Sequence, residues 1–271
     1  MNLITIKELQ RIETDILKYI DKICKDNNIK YTVVAGTAIG AVRHKGFIPW
    51  DDDIDIGLIS DDYEKLIKSI KEDKNERYIV LDDEIEETYN YPFAKVIDTR
   101  TTLVEENQIP IKNYGVFVDV FRYSGMPNNN IQRFFYYKKL KKYQRYISYL
   151  ILDKLKEENL IKKIIKNSIR FRANRIGFER LLNKYKKLTN KYSIEESKYC
   201  ISNWPCGKRK NLILKSDFLT KGTIRYKFDD IEINIMKEYD EYLTTAYGNY
   251  MQFPPVDKQK PPHPSNVFWK E

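Results

Sequence analysis

An α+β fold is predicted by three observations. A helical stripe opens the chain, short strand-like runs then alternate with helical ones, and helical periodicity fills most of the stretch beyond residue 125. Residues 5–28 place Ile6, Leu9, Ile12, Ile16, Ile20 and Ile23 on one helical face. Tyr31 to Ala35 reads as a short strand closed by a turn at Gly36 and Thr37, with one or two helical turns over Ala38 to His44. A loop with Gly46 and Pro49 leads through Trp50 to a strand around Asp53 to Ile59. Ser60 and Asp61 suit the N-cap of the next helix, and Asp61 with Glu64 has capping-box spacing ahead of Tyr63, Leu66, Ile67 and Ile70. Strands follow at 77–82, 92–98, 101–105 and 115–122. Beyond the basic helical stretch, 178–190 continues helically and 223–235 reads as a hairpin turning at Asp229-Asp230. A last helix over 237–247 ends at Gly248, before an extended, exposed tail rich in proline. The expected organisation is a core over 1–125, a basic helical region over 126–222, and a C-terminal unit over 223–271 that packs back on the core.

Composition narrows the class. The chain has 271 residues, 42% hydrophobic and 13% aromatic, enough to bury a sizeable core and too apolar for a disordered chain. No stretch approaches the roughly 20 apolar residues of a transmembrane helix. Met1 to Glu13 is amphipathic and charged, unlike a signal peptide, so a cytoplasmic location is expected. Three cysteines, Cys24, Cys200 and Cys206, give no disulfide framework. A zinc site would have to recruit the distant His44 and His263, so the cysteines read as small buried hydrophobes.

The net charge of +9 is unevenly spread. Residues 131–175 hold 14 Lys and Arg against 3 Asp and Glu, a net of +11, so the remainder (34 against 36) sums to −2. Apolar residues recur there at helical spacing, as in Leu140, Tyr143, Ile147, Leu150, Ile151 and Leu155. Three readings are open: a helix on an anionic membrane, a phosphate-tracking nucleic-acid face, or ordinary helices with a solvated lysine face.

The segment from Trp50 to Leu58 carries the most telling chemistry. As a strand it sends Ile54, Ile56 and Leu58 to the core, while Asp51, Asp53 and Asp55 project together. Three carboxylates on one face repel unless a cation sits among them, and hard oxygen ligands suit Mg²⁺ or Mn²⁺. An EF-hand loop is excluded, because position six from Asp51 is Ile56 and position twelve is Asp62. Asp119 is the lone charge in the apolar run from Gly115 to Phe121 and needs a partner: a backbone N–H, Arg122 or, more pointedly, a shared metal.

The run GTAIGAVRHKGFIPWDDDIDIG, residues 36–57, resembles the signature of the LicD phosphotransferases, a family that includes the fukutin-related proteins. The likeness continues at Val118-Asp119-Val120-Phe121, at Tyr239 to Leu243 and at Tyr247 to Met251, followed by Pro254-Pro255; over 128–200 it extends only to helical character. Ala38 and Val42 stand where leucine-rich versions are common, a conservative departure. The resemblance implies a nucleotidyltransferase-like mixed sheet flanked by helices, with a Gly-Thr turn beside the Asp-x-Asp strand and a third carboxylate on a neighbouring strand. It also implies transfer of a phospho-alcohol, phosphocholine from CDP-choline in the usual bacterial case, to a sugar hydroxyl of a cell-surface glycan precursor such as teichoic acid or lipopolysaccharide.

On that footing Asp53 and Asp55 would hold one or two Mg²⁺ (or Mn²⁺) against the diphosphate, with Asp51 a further ligand or acceptor. Asp119 would complete the metal site or take the proton of the sugar hydroxyl. Gly36 and Thr37 would approach the diphosphate, and Arg43 and Lys95 are candidate phosphate partners. Lys95 also reads as a snorkelling surface lysine, and His44 equally as an exposed loop residue or a member of the site. A choline headgroup needs aromatic faces; Tyr91, Tyr114, Tyr123, Trp204 and Tyr247 are available, with nothing in the sequence to select among them. A lipid-linked glycan acceptor would place the protein peripherally at the inner face of the plasma membrane, with 131–175 against anionic lipid.

Two other functions compete. A glycosyltransferase can hold Mn²⁺ and a nucleotide sugar through Asp-x-Asp, although the early position of the acidic cluster, straight after one strand and a turn, argues against it. A nucleic-acid-binding module built on 131–175 would leave the acidic strand unexplained, so no nucleic-acid partner is expected.

Overall fold

The computed structural model describes residues 2–82, 84–154, 159–206, 212–261 and 265–270. Helix α1 (Ile6–Asp26) starts at a capping box in which Thr5 and Glu8 satisfy each other's backbone N–H groups. It buries Leu9, Ile12, Ile16, Leu17, Ile20 and Ile23. Then come β1 (Thr32–Val33), α2 (Ala35–His44), β2 (Asp55–Ile59), α3 (Ser60–Asp73), β3 (Tyr78–Leu81), β4 (Ala94–Asp98), β5 (Thr101–Glu105) and β6 (Phe117–Gly125). Three helices follow, α4 (Asn130–Ile151), α5 (Leu160–Ile176) and α6 (Phe178–Thr189), and pack on one another. The chain then adds β7 (Tyr199–Ser202), β8 (Leu214–Lys215), the hairpin β9 (Thr223–Phe228) and β10 (Ile231–Met236), α7 (Tyr239–Tyr247) and β11 (Ser265–Trp269).

The main sheet is mixed, in the order β3-β4-β6-β2-β1-β10-β9. The β2–β6 and β1–β10 pairs are parallel and the rest antiparallel. One edge of β6 is shared by β4 along its first half and β7 along its second. Alternation assigns the two faces. Ile54, Ile56, Leu58, Val96, Val118 and Val120 are fully buried, and α1 and α3 pack on β2, β4 and β6. Asp55, Lys95 and Asp119 take the opposite face.

Four local expectations are corrected. Gly36 and Thr37 are not a turn but the first turn of α2, because Ala35, at φ 49°, already makes the bend. The strand begins at Asp55, so Asp53 lies in the loop before it. Neither Ser60 nor Asp61 caps α3: β2 runs straight into the helix, the N-cap is Ile59, and no side chain bonds it. The tail is not wholly extended, since Val256–Lys258 forms a 3-10 turn, and its last residues enter β11, which pairs with β5. Residues 262–264, including His263, lie outside the described residues, as do Leu155 and its neighbours through residue 158. Among the described residues no helix is long and apolar enough to cross a membrane.

Candidate active site

The acidic residues meet because of register. Asp55 on β2 pairs with Asp119 on β6, and Asp119 pairs with Lys95 on β4, so three charged side chains stand abreast on one face of the sheet. They line a cleft of about 470 Å³ together with Asp53, Val34 and Ala35. Lys95 is 3% exposed, and its Nζ lies 2.5 Å from Asp119 Oδ1 and 3.3 Å from the centre of the Phe117 ring. It is therefore a buried cation, and the surface-lysine reading falls. Burial pushes the Asp55 carboxyl well above its ordinary value, the charges of Asp53, Asp119 and Asp51 push it further, and Lys95 partly offsets them.

The loop before β2 supplies a second constellation. Ligand oxygens of Asp51, Asp52 and Asp53 lie within 4.8 Å of one another. Asp53 belongs both to this cluster and to the cleft shared with Asp55 and Asp119. Behind them stands Glu13, on the buried face of α1, whose Oε2 has no hydrogen-bond partner among the described residues. One helical turn earlier, Gln10 Nε2 donates to the backbone oxygen of Asp51 at 2.9 Å, which lays this face of α1 against the acidic loop. Burial raises the Glu13 carboxyl well above its usual range, and Asp53, Asp52, Asp51 and Asp119 add to the effect. So much negative charge around an unsatisfied buried carboxyl fits a hard divalent cation, with Asp51, Asp52, Asp53 and Asp55 as candidate oxygen ligands.

The start of α2 sets this geometry. Thr37 Oγ1 accepts a hydrogen bond from Asp55 N at 2.8 Å and so anchors the head of β2. At Gly36 a Cβ would stand 2.6 Å from Asp51 Oδ2, so only glycine lets that carboxylate approach. Ala35, strained at positive φ, donates its N–H to the Tyr242 hydroxyl of α7 at 3.0 Å. Arg43 lies beside the cleft, near enough to the acidic loop for the Asp51 charge to act on it. Its guanidinium donates to the backbone oxygens of Tyr250 (2.7 Å) and Gln252 (3.2 Å) and covers Phe253, tying α2 to the C-terminal segment instead of lining the cleft. His44 Nε2 accepts from Arg43 Nε at 2.9 Å, and its ring meets Trp50 and Phe253 edge-on, so it is packed and not a loose loop residue.

Aromatic rings share the cleft with the charged residues, Phe117 and Phe121 projecting from the same face of β6 as Asp119. Tyr91, Tyr123, Trp204 and Tyr247 all line the cleft, whereas Tyr114 does not. Phe93 links Phe121 (4.8 Å between ring centres) and Trp204 (6.2 Å) into one wall. Cys24 and Cys200 are buried as expected; Cys206 departs from that reading, being exposed and lining the cleft. Sequence reasoning missed Glu13, Asp52, Ala35 and Tyr242. Glu13 had a signal, as an acid among Leu9, Ile12, Ile16 and Leu17 on a buried helical face. A positive φ at an alanine has none.

Comparison with known proteins identifies the family. A family model described as the nucleotidyltransferase domain of LicD/FKTN/FKRP matches residues 28–150, which hold every acidic residue of the site except Glu13. Over 274 residues, 99% of each chain, the sequence is 31% identical to the lipopolysaccharide cholinephosphotransferase LicD of Haemophilus influenzae. The chain belongs to the LicD family. Uncharacterised proteins of Rickettsia prowazekii and Rickettsia typhi share 49% identity over 47 residues, 17% of this chain and 18% and 15% of theirs. The mixed sheet of this LicD protein, flanked by helices, is the α+β architecture expected for such a domain.

Proposed function

We propose that this LicD protein transfers phosphocholine from CDP-choline to a sugar hydroxyl of a lipid-linked cell-surface glycan precursor, releasing CMP, and that it requires Mg²⁺ or Mn²⁺. The observation that carries this reading is the cleft itself: carboxylates that can hold a cation and aromatic rings that can hold a quaternary ammonium line one pocket. Full-length similarity to a lipopolysaccharide cholinephosphotransferase supports the transferred group and makes lipopolysaccharide the first acceptor to test, with teichoic acid second.

A cation held by Asp53 and Asp55, with Asp51 and Asp52 beside them, would neutralise charge on the diphosphate. The protein's own groups do the rest. The sugar oxygen bonds to the phosphorus that carries choline, and the P–O bond to CMP breaks, leaving the electron pair on CMP. The hydroxyl proton passes to a cleft carboxylate. Asp119, ion-paired with Lys95, is the proposed acceptor; as a metal ligand instead, its loss would weaken cation binding. Gly36 and Thr37 hold Asp51 and Asp55 in place. The rings around Lys95 (Tyr91, Phe93, Tyr114 and Phe117) already surround a cation, which leaves Phe121, Tyr123, Trp204 and Tyr247 among the candidates for the choline headgroup.

Purified protein, CDP-choline, Mg²⁺ and a lipopolysaccharide acceptor test the proposal by CMP release and acceptor mass. Asp53→Asn and Asp55→Asn should each abolish transfer with the circular dichroism spectrum unchanged. Full activity in either variant, or turnover of UDP-sugars in place of CDP-choline, would overturn it.

A further inference from the structure

Helix α5 is built in an unusual way for a helix of a folded core. Of its residues only Ala173 is buried. Leu160, Ile161, Ile164, Ile165 and Phe171 are 54–71% exposed. At 3.6 residues per turn these five fall in an arc of about 140°. Ala173 lies on the far side of the helix, flanked by the half-buried Lys166, Ile169, Arg170 and Ile176. The helix thus touches the protein with one side and turns its most apolar side outward, the reverse of an ordinary surface helix. Its charge is all of one sign, with Lys162, Lys163, Lys166, Arg170, Arg172 and Arg175 and no Asp or Glu. Near the start of α4, Ile131 and Phe135 are exposed as well, with Lys138, Lys139 and Lys142 on the same helix.

We propose that the outward face of α5 docks on an anionic lipid bilayer, lying in the interface with Leu160, Ile161, Ile164, Ile165 and Phe171 among the acyl chains and the exposed Lys163, Arg172 and Arg175 at the headgroups. The two halves of the pattern favour this occupant over others. A nucleic acid would engage the cations but leave five apolar side chains in water. A second copy would cover the apolar face but set Arg172 and Arg175, which lie within it, against or near their own counterparts. An anionic membrane surface satisfies both at once, and long basic side chains can snorkel from an interfacial helix to the phosphates. This inference stands independently of the transferred group and of the metal.

Flotation of the full-length protein with phosphatidylcholine vesicles, with and without phosphatidylglycerol, tests it. Wild type should float with the anionic vesicles, bind neutral ones at least tenfold more weakly, and be released by high salt. The triple variant Ile161→Ser, Ile164→Ser, Ile165→Ser should bind anionic vesicles at least tenfold more weakly. The charge variant Lys163→Gln, Arg172→Gln should lose binding mainly at low salt. Val256→Ser removes an equally exposed apolar side chain elsewhere and should change nothing. Because all these positions are exposed, the fold should persist, checked by circular dichroism. Equal binding to both vesicle types, undiminished binding by the triple variant, or no vesicle binding together with a concentration-dependent dimer that the triple variant dissolves, would each overturn the proposal.

Discussion

Lys95 and Asp119 form an ion pair on neighbouring antiparallel strands, with the ammonium 2.5 Å from the carboxylate and pressed on the Phe117 ring. Removing one member strands the other's charge in a nearly dry setting, at a cost on the order of 3 kcal/mol. Lys95→Met and Asp119→Asn should therefore each lower the denaturation midpoint, and the double variant should be less destabilised than the sum. Additive effects in urea titrations would show that the pair is not coupled.

Gly36→Ala tests how closely the acidic loop is held. The new methyl would meet the Asp51 carboxylate at 2.6 Å, so that side chain must swing away. The expected result is roughly tenfold weaker binding of Mn²⁺ by calorimetry, with α2 intact. Unchanged affinity would remove Asp51 from the cation site.

Trp204→Ala opens the aromatic wall. If that wall receives the quaternary ammonium, the KM for CDP-choline should rise about tenfold, within the range of a cation–π contact. The preference for CDP-choline over CDP-glycerol should shrink in parallel. A uniform fall in kcat with KM unchanged would mean that the indole only supports Phe93 and Tyr185, its ring neighbours.

Asp98 gives a pH prediction away from the site. Burial pushes its carboxyl up, but hydrogen bonds from Arg100 and Arg77 outweigh this and hold it below its ordinary value of 3.8. A depressed folded-state value means that the stabilisation is complete above the unfolded value and drains as pH falls through the folded one. The melting temperature should fall from near pH 4 downward, and Asp98→Asn should flatten that dependence while lowering stability at neutral pH.

The sequence displayed the strands well because their aliphatic residues alternate, as in Ile54, Ile56 and Leu58 or Val116, Val118 and Val120. It displayed the acidic segment because so many carboxylates on one short stretch need a compensating charge. What it could not display depends on register and on distant contacts. Nothing local sets Lys95 opposite Asp119, and only the neighbouring strand turns a lysine among apolar residues into a buried one. Arg43 looked like a phosphate partner because it sits inside the motif, yet backbone oxygens 207 and 209 residues away take its guanidinium. The outward face of α5 was equally hidden, since its periodicity is that of any core helix and only packing reveals which side is covered.

The bond from Ala35 to Tyr242 spans 207 residues, and β1 lies between β2 and β10, with Val33 of β1 paired to Ile235 of β10. For a polypeptide made from its N-terminus this orders events. Every acidic residue of the cleft has left the ribosome long before the strand and tyrosine that brace its floor. Closing such long loops carries an entropic cost that only the late segments repay. The acidic signature is therefore made well before the cleft is finished, because its floor waits for β10 and α7 to dock.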